Sequence, residues 1–435
     1  MKYNPQFPTM VLPGLSEQPI PQFLGVTVRQ PELAALQDLE GPLDKAMTAG
    51  ARLDALPPGA RVAVAVGSRG IADLPKVVRG VTDRLRARGL APFIVPAMGS
   101  HGGGTAEGQV GMLDHLGVSE KSMGVPVLSS METVDLGEVE PNVHAHIDRN
   151  AFEADGIVIV ARVKAHTNFE AEIESGLHKM VSVGLGKAMG ARNVHIYGRR
   201  GLAELMPRIA AQSLARARFV LAVAVVENSH HQLAVLEGVA PEDFPEADRR
   251  LLALSKAHAP SLPFAQADLL VVEYLGKDIS GTGMDSKVIG REGFRGDPLA
   301  SPYLNSIVAL RTTEASAGNG TGVGNSDFIP LEMANGLDLM AMAFNALTSA
   351  GTIRVRIPPV LPTERDVVQG GLRLCWQPDV SRVRACVIRS TSALDRMLIT
   401  RPLLEELQAR GAVLDVWKSA HDLQFDARGV LETGL

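Results

Sequence analysis

61-RVAVAVGSRGIADLPKVVRGVTDRLRARGLAPFIVPAMGSHGGGT-105 reads as a strand, a helix and a second strand in direct succession. Arg61 to Val66 is a near-continuous run of Val and Ala, the pattern of a strand buried on both faces. Ile71, Leu74, Val78, Val81 and Leu85 then recur at helical spacing, and Gly89 closes that helix. Ala91 to Ala97 is the second strand. Thr105 is a plausible N-cap for a further helix that runs to His115 and stops at Gly117. Outward from this unit the alternation continues. Gly156 to Val163 reads as a strand, a helix follows near Leu202 to Ala215, and Arg218 to Val226 is again a strand. Such alternation implies a doubly wound parallel sheet. An Ala-, Pro- and Leu-rich crossing at Ala257 to Ala265 precedes a restart: strands at Asp268 to Gly276, Ser306 to Thr313 and Arg382 to Ser390, with a Met-rich core helix at Ile329 to Leu347. The expected fold is therefore α/β with two domains, residues 1–260 and 261–435, each a mostly parallel sheet flanked by helices, with the active site in the cleft between them.

Composition narrows the function classes. The chain has 435 residues, 46% hydrophobic and 21% charged, the mix of a globular protein with a sizeable core. A formal net charge of -5 gives no basic excess for nucleic acid or an acidic membrane surface. Two cysteines, Cys375 and Cys386, exclude a disulfide scaffold and any cysteine-rich metal cluster. A bound metal would take its ligands from histidine, carboxylate or a cofactor atom. No secretory leader pattern and no run of about 18 apolar residues is present, so a cytoplasmic protein is expected.

In an open parallel sheet, ligands bind beyond the carboxyl ends of the strands. After the first strand comes Gly67-Ser68-Arg69-Gly70, where an arginine beside a helix start suits a phosphate or carboxylate. After the second comes Met98-Gly99-Ser100-His101-Gly102-Gly103-Gly104, a histidine among glycines that allow close approach of a ligand. After the third comes Lys164-Ala165-His166-Thr167-Asn168. Arg69, His101 and His166 thus reach one rim: an anion anchor and two imidazoles that can pass protons in either direction near neutral pH. A racemase handles two mirror-image substrates and tends to need two acid/base groups, one for each face of the reacting carbon. A hydrolase would need one base with a nucleophile or metal.

The segment Glu172-Ile-Glu-Ser-Gly-Leu-His-Lys-Met180, followed by Val181-Ser-Val-Gly-Leu-Gly186 and Asn193-Val-His195, resembles the cofactor-attachment region of the nickel-pincer racemases and epimerases, the lactate-racemase-like family. The sixteen-residue interval from Lys179 to His195 agrees with the family spacing. The resemblance covers roughly residues 10 to 235. It implies a nickel ion held by a thiolated pyridinium mononucleotide. In that reading Lys179 matches the lysine that forms a thioamide link to the cofactor, and His195 the protein ligand to nickel. His101 and His166 match the two catalytic histidines, and Arg69 an arginine near the cofactor and substrate anion, with Lys164 a further cofactor contact. The chain departs from the family in two respects here. The interval from His166 to Lys179 is thirteen, with Glu170, Glu172 and Glu174 among the added residues, and Gly176-Leu177-His178 replaces a double glycine. The cofactor is accordingly expected either linked at Lys179 or held there without the link, and His178 is a residue that could adjust the site. In the second domain, Gly276-Lys-Asp-Ile-Ser-Gly-Thr-Gly-Met-Asp-Ser-Lys287 follows a strand and looks like a divergent form of the family's loop, without its glutamine. Lys287 is the candidate for the substrate carboxylate and Asp285 for a polar contact, so a substrate other than lactate is expected.

The reaction implied by the resemblance is racemisation or epimerisation of a 2-hydroxy acid by hydride transfer, with cofactor-biosynthesis enzymes as partners. Three alternatives stand beside it. An NAD-dependent oxidoreductase would need a glycine fingerprint after the first strand, which Gly67-Ser68-Arg69-Gly70 lacks. A non-catalytic ligand-binding homologue would keep the site without turnover. A metal hydrolase would need about three clustered protein ligands, and no H-E-x-x-H occurs. Taken singly, His195 reads as a helix-end histidine and Lys179 as a surface lysine. His144 with His146 reads as a solvent-facing pair, and His230 and His231 have only position in their favour.

Overall fold

The computed structural model describes residues 6–8, 12–68, 70–167, 169–291, 301–349 and 351–435. It divides into two compact units, Pro31–Ala259 and a second made of Met1–Gln30 with Pro260–Leu435. The first thirty residues belong to the second unit rather than to the one that directly follows them in the chain. The reason is strand β1 (Phe23–Val28), whose run of buried apolar residues completes the second unit's sheet.

In the unit Pro31–Ala259, β2 (Arg61–Val66) and β3 (Ala91–Pro96) are followed by a hairpin, β4 (Thr133–Glu140) and β5 (Val143–Asp148). Then come β6 (Gly156–Arg162), β7 (Phe219–Glu227) and β8 (Leu233–Val239). Five of these form one sheet in the order β3-β2-β6-β7-β8. β3, β2, β6 and β7 are parallel and β8 closes the edge antiparallel. Helix Leu74–Ala87 crosses from β2 to β3 and buries Val77, Val78, Val81 and Leu85 against Val62, Val64 and Val66. Each such side chain removed from water stabilises by roughly 1.5–3 kcal/mol. Gly89 ends the crossover in the left-handed region, φ 75°, where a side chain would be strained. Thr105 caps helix Ala106–His115 by accepting the Gly108 N–H at 3.1 Å.

Two details differ from the sequence expectation. The helix anticipated near Leu202 to Ala215 opens with a wide turn at Gly201–Leu205 before regular helix Met206–Arg216. The Met-rich stretch is broken rather than continuous. Ile329–Pro330 is extended, Leu331–Asn335 is a short helix, and Leu339–Thr348 is a second helix. Asp338 starts that second helix by accepting the Ala341 N–H, and Met340, Phe344 and Leu347 on it are exposed rather than core.

In the second unit, β9 (Gln266–Leu275), β10 (Tyr303–Thr312), the two-residue parallel pair β11 (Ile329–Pro330) and β12 (Val360–Leu361), and then β13 (Ala385–Ser390), β14 (Ala393–Thr400) and β15 (Leu414–His421) follow in turn. The six-stranded sheet has the order β10-β9-β13-β14-β1-β15. β10, β9 and β13 run parallel, while β14, β1 and β15 add antiparallel pairings. Both sheets are flanked by helices, so the chain is α/β in both units. No helix among the described residues is long and apolar enough to cross a membrane.

Helix Glu40–Met47 packs on β8 at a point where only glycine fits. A Cβ on Gly238 would lie 1.8 Å from the Ala46 carbonyl oxygen, a backbone atom that no side-chain rotation can move aside. Gly238→Ala is expected to lose about 1–3 kcal/mol of stability, measured as a lower urea midpoint. An unchanged midpoint would mean that the helix does not seat on β8 in this way.

Candidate active site

The strand order fixes where a site can form. From β2 the chain crosses outward to β3, and from β6 it crosses the opposite way to β7. The switch point therefore lies between the carboxyl ends of β2 and β6, the place where ligands bind in sheets of this kind. β2 separates β3 from β6, so the loops after those two strands leave the sheet roughly 10 Å apart at about 4.8 Å per strand. His101 follows β3 and His166 follows β6, and the two face one edge of the sheet from either side of the Gly67–Ser68 turn. Arg69 and Asn168 lie outside the described residues.

His101 is exposed, and its Nδ1 is hydrogen-bonded to Ser68 Oγ at 2.5 Å. A hydroxyl can either donate to or accept from that nitrogen, so Ser68 holds the ring in place through either protonation state. Gly99, Gly102, Gly103 and Gly104 around it all have positive φ, between 59° and 68°. At Gly102 a Cβ would lie 2.6 Å from the Gly108 carbonyl carbon, so the loop doubles back onto its own helix.

His166 is 8% exposed, with its ring 4.7 Å from that of Phe169. Its N–H donates to Glu174 Oε2 at 2.6 Å, and Glu174 is itself buried and paired through Oε1 with Lys256 at 2.5 Å. Lys164 sits at the base of this loop, its N–H donating to the Ser175 carbonyl at 2.9 Å. The added residues between His166 and Lys179 thus form an excursion closed at Lys164 and Ser175, and Glu174 is its internal staple.

Beyond the excursion, Asp248 takes three donors: the N–H groups of Leu177 and His178 at 2.8 and 2.9 Å and the His178 ring Nδ1 at 2.7 Å. Gly176 is required there, because a Cβ would lie 2.2 Å from Asp248 Oδ1. His178 is therefore a buried staple of the helix start rather than an exposed site group. Lys179 follows, part-exposed. Two contacts bring the strand-end loops to the segment that Lys179 opens. A Cβ on Gly67 would lie 3.3 Å from Met180 Sδ, and the Gly99 N–H donates to the Gly184 carbonyl at 3.1 Å. The chain then turns at Lys187, whose φ of 53° is unusual for a side-chain-bearing residue. Helix Lys187–His195 leads on to His195. Burial and the nearby charge of Lys179 push the His195 imidazole down to about 4. Residues sixteen apart in sequence are thus electrostatic neighbours.

The two lysines of this segment differ sharply. Lys187 is fully buried and occupied by polar partners, whereas Lys179 reaches solvent beside His195. Among the described residues no group of three His, Cys, Asp or Glu side chains could hold a metal ion. A metal here would need most of its donors from a cofactor, and His195 fits the role of a single protein ligand because its imidazole stays neutral. Both cysteines are buried, with the Cys375 thiol pushed up to about 12, and are unsuited to metal binding or nucleophilic work. His144 is paired with Asp135 at 2.9 Å, part of the surface hairpin β4–β5.

In the second unit, Asp285 caps the four-residue helix Ser286–Ile289 by accepting the Lys287 N–H at 3.0 Å, so one of its carboxylate oxygens has a structural task. Lys277 and Asp278 of the same loop are likewise engaged locally, Lys277 with Gly281 and Asn345, Asp278 with Thr313 and Ser316. Sequence reasoning missed Ser68, Glu174, Asp248 and the fully buried polar group Gln109, Asp148 and Lys187. Lys187, a lysine set directly after the apolar run of residues 180–186, was the one available signal.

No protein-family profile matches the chain, and no curated protein is similar to it in sequence. Among solved structures, the chain is similar to the lactate racemase apoprotein from Thermoanaerobacterium thermosaccharolyticum, at 14% identity and a TM-score of 0.42, over 71% of this chain and 74% of that one. The likeness is distant.

The depressed His195 pKa carries a sign. The unfolded chain protonates this ring near 6.5 and the folded one near 4, so between those values the unfolded state binds more protons. Stability contributed here is fully present above about pH 6.5 and falls as pH drops towards 4. Urea unfolding of His195→Gln should show a shallower loss of stability over that window than the wild type. Parallel curves would show that His195 titrates normally.

Proposed function

We propose that this protein is an isomerase that racemises or epimerises a 2-hydroxy acid, using a nickel-pincer nucleotide cofactor. The observation that carries the reading is the placement of His101 and His166 on either side of the β2–β6 switch point, with the Gly67 and Gly99 loops packed on the segment from Lys179 to His195. In this reading His195 ligates the metal and Lys179 holds the nucleotide, by a covalent link or by charge. When bound, such a cofactor supplies a reversible hydride acceptor, the chemistry that lets the substrate carbon become planar.

The chain's own residues do the rest. One histidine takes the proton of the substrate hydroxyl and the other serves the mirror-image substrate, so each acts as base in one direction and acid in the other. Ser68 keeps the His101 ring in place while its charge changes. The buried Glu174 carboxylate fixes the His166 backbone. Arg69 and Lys164 are proposed as anion contacts for cofactor or substrate, and Asp285 and Lys287 as substrate contacts supplied by the second unit. Enzymes that build the cofactor are the expected partners, and the cytoplasm the expected location.

The test is a panel of single-enantiomer 2-hydroxy acids, assayed by chiral chromatography with protein co-produced with a nickel-pincer biosynthesis system. Conversion of at least one acid into its epimer is expected. Replacing His101 or His166 by Gln should lower kcat about 10²–10⁴-fold. Absence of conversion across the panel, or full activity in both variants, would refute the assignment.

A further inference from the structure

We propose that Lys187 is a positioning residue that ties the His101 loop to the segment bearing Lys179 and His195. Its side chain has no exposure to solvent, and its Nζ meets three acceptors in unit Pro31–Ala259. It donates to the Pro96 carbonyl at 2.6 Å and to Gln109 Oε1 at 2.9 Å, and pairs with Asp148 Oδ2 at 3.1 Å. Pro96 is the last residue of β3. Gln109, also fully buried, uses its Nε2 to reach the Gly99 carbonyl at 2.9 Å and the His101 carbonyl at 3.3 Å. One ammonium therefore grips the end of β3 directly and the His101 turn through a single intermediary.

The other end of the tether is equally defined. Lys187 opens helix Lys187–His195, and Asp148 donates its N–H to the Leu185 carbonyl at 2.7 Å while its Oδ1 accepts the Ala151 N–H at 2.9 Å. The group thus joins β3, the His101 loop, β5 and the turn into the His195 helix. Stability alone does not account for it, because a buried ion pair can often be exchanged for apolar residues at no loss. What apolar packing lacks is direction: two N–H donors aimed at fixed acceptors, with a carboxylate facing the same ammonium, specify one geometry. Burial lowers the Lys187 pKa and raises that of Asp148, their mutual attraction opposing both. The catalytic part of the inference rests on reading His101 as an acid/base group; the tether itself does not.

The experiment uses the full chain co-produced with a nickel-pincer biosynthesis system, with two variants. Lys187→Met/Asp148→Asn removes the ion pair without stranding a charge, and Gln109→Leu cuts the loop from an intact ion pair. Amide hydrogen exchange should rise about tenfold or more over residues 99–105. The β7 amides should stay within about twofold of wild type in both variants. On a hydroxy acid that the wild type converts, kcat should fall about 10–100-fold with KM within about threefold. Unchanged exchange at 99–105 overturns the proposal whether or not the protein is an isomerase. So does a rise that spreads equally to β7, or loop loosening with kcat unchanged. Loop loosening in a protein whose wild type converts no hydroxy acid would instead sink the isomerase reading and leave the tether standing.

Discussion

Parallel strands must be joined by crossovers, and that constraint places every loop that follows a parallel strand at the same edge of its sheet. In unit Pro31–Ala259 it gathers the ends of β3, β2 and β6 into one row, with the crossovers diverging between β2 and β6. His101, Ser68 and His166 occupy that row because of chain direction, and no long-range recognition between them is needed. The Lys179–His195 segment then packs on this row, through the Met180 side chain at Gly67 and the hydrogen bond from the Gly99 N–H to the Gly184 carbonyl.

Beneath this edge is a polar layer. Lys187, Gln109 and Asp148 form one buried group, Glu174 with Lys256 staples the His166 loop, and Asp248 fixes the helix start before Lys179. Each replaces the precision a loop ordinarily lacks with directed bonds to backbone atoms. At the end of β7, Glu227 does the same, holding Arg162 of β6 and the Ala72 N–H ahead of helix Leu74–Ala87. The two histidines end in unlike settings, His101 exposed and His166 nearly buried, although the sequence presents them as equivalents.

The strands and crossover of residues 61–97 were legible because their signals are local: a Val/Ala run, a 3.6-residue period, a closing glycine and a capping Thr105. So was the parallel order that puts the loops after β3 and β6 on one edge of the sheet. What sequence could not show depends on partners far along the chain. β1 carries no local mark of the unit it joins, and only its pairing with β14 and β15 assigns it to the second unit. Asp248 lies seventy residues from His178, so its role as a staple has no local pattern. The Met-rich stretch misled because composition suggested core, while Asp338 breaks it and leaves Met340, Phe344 and Leu347 in solvent. Lys187 and Lys179 look alike in sequence, and only their burial separates a tether from a residue able to meet a cofactor.

The central claim is that the Lys179–His195 segment holds a nickel-pincer nucleotide. The most direct measurement is metal analysis with native and denaturing intact mass on protein co-produced with the cofactor's biosynthesis system. The account predicts nickel approaching one equivalent in the wild type, an added mass of nucleotide size in the native spectrum, and loss of the nickel in His195→Ala. Protein that carries neither nickel nor added mass, or a His195→Ala variant that keeps both, would contradict it.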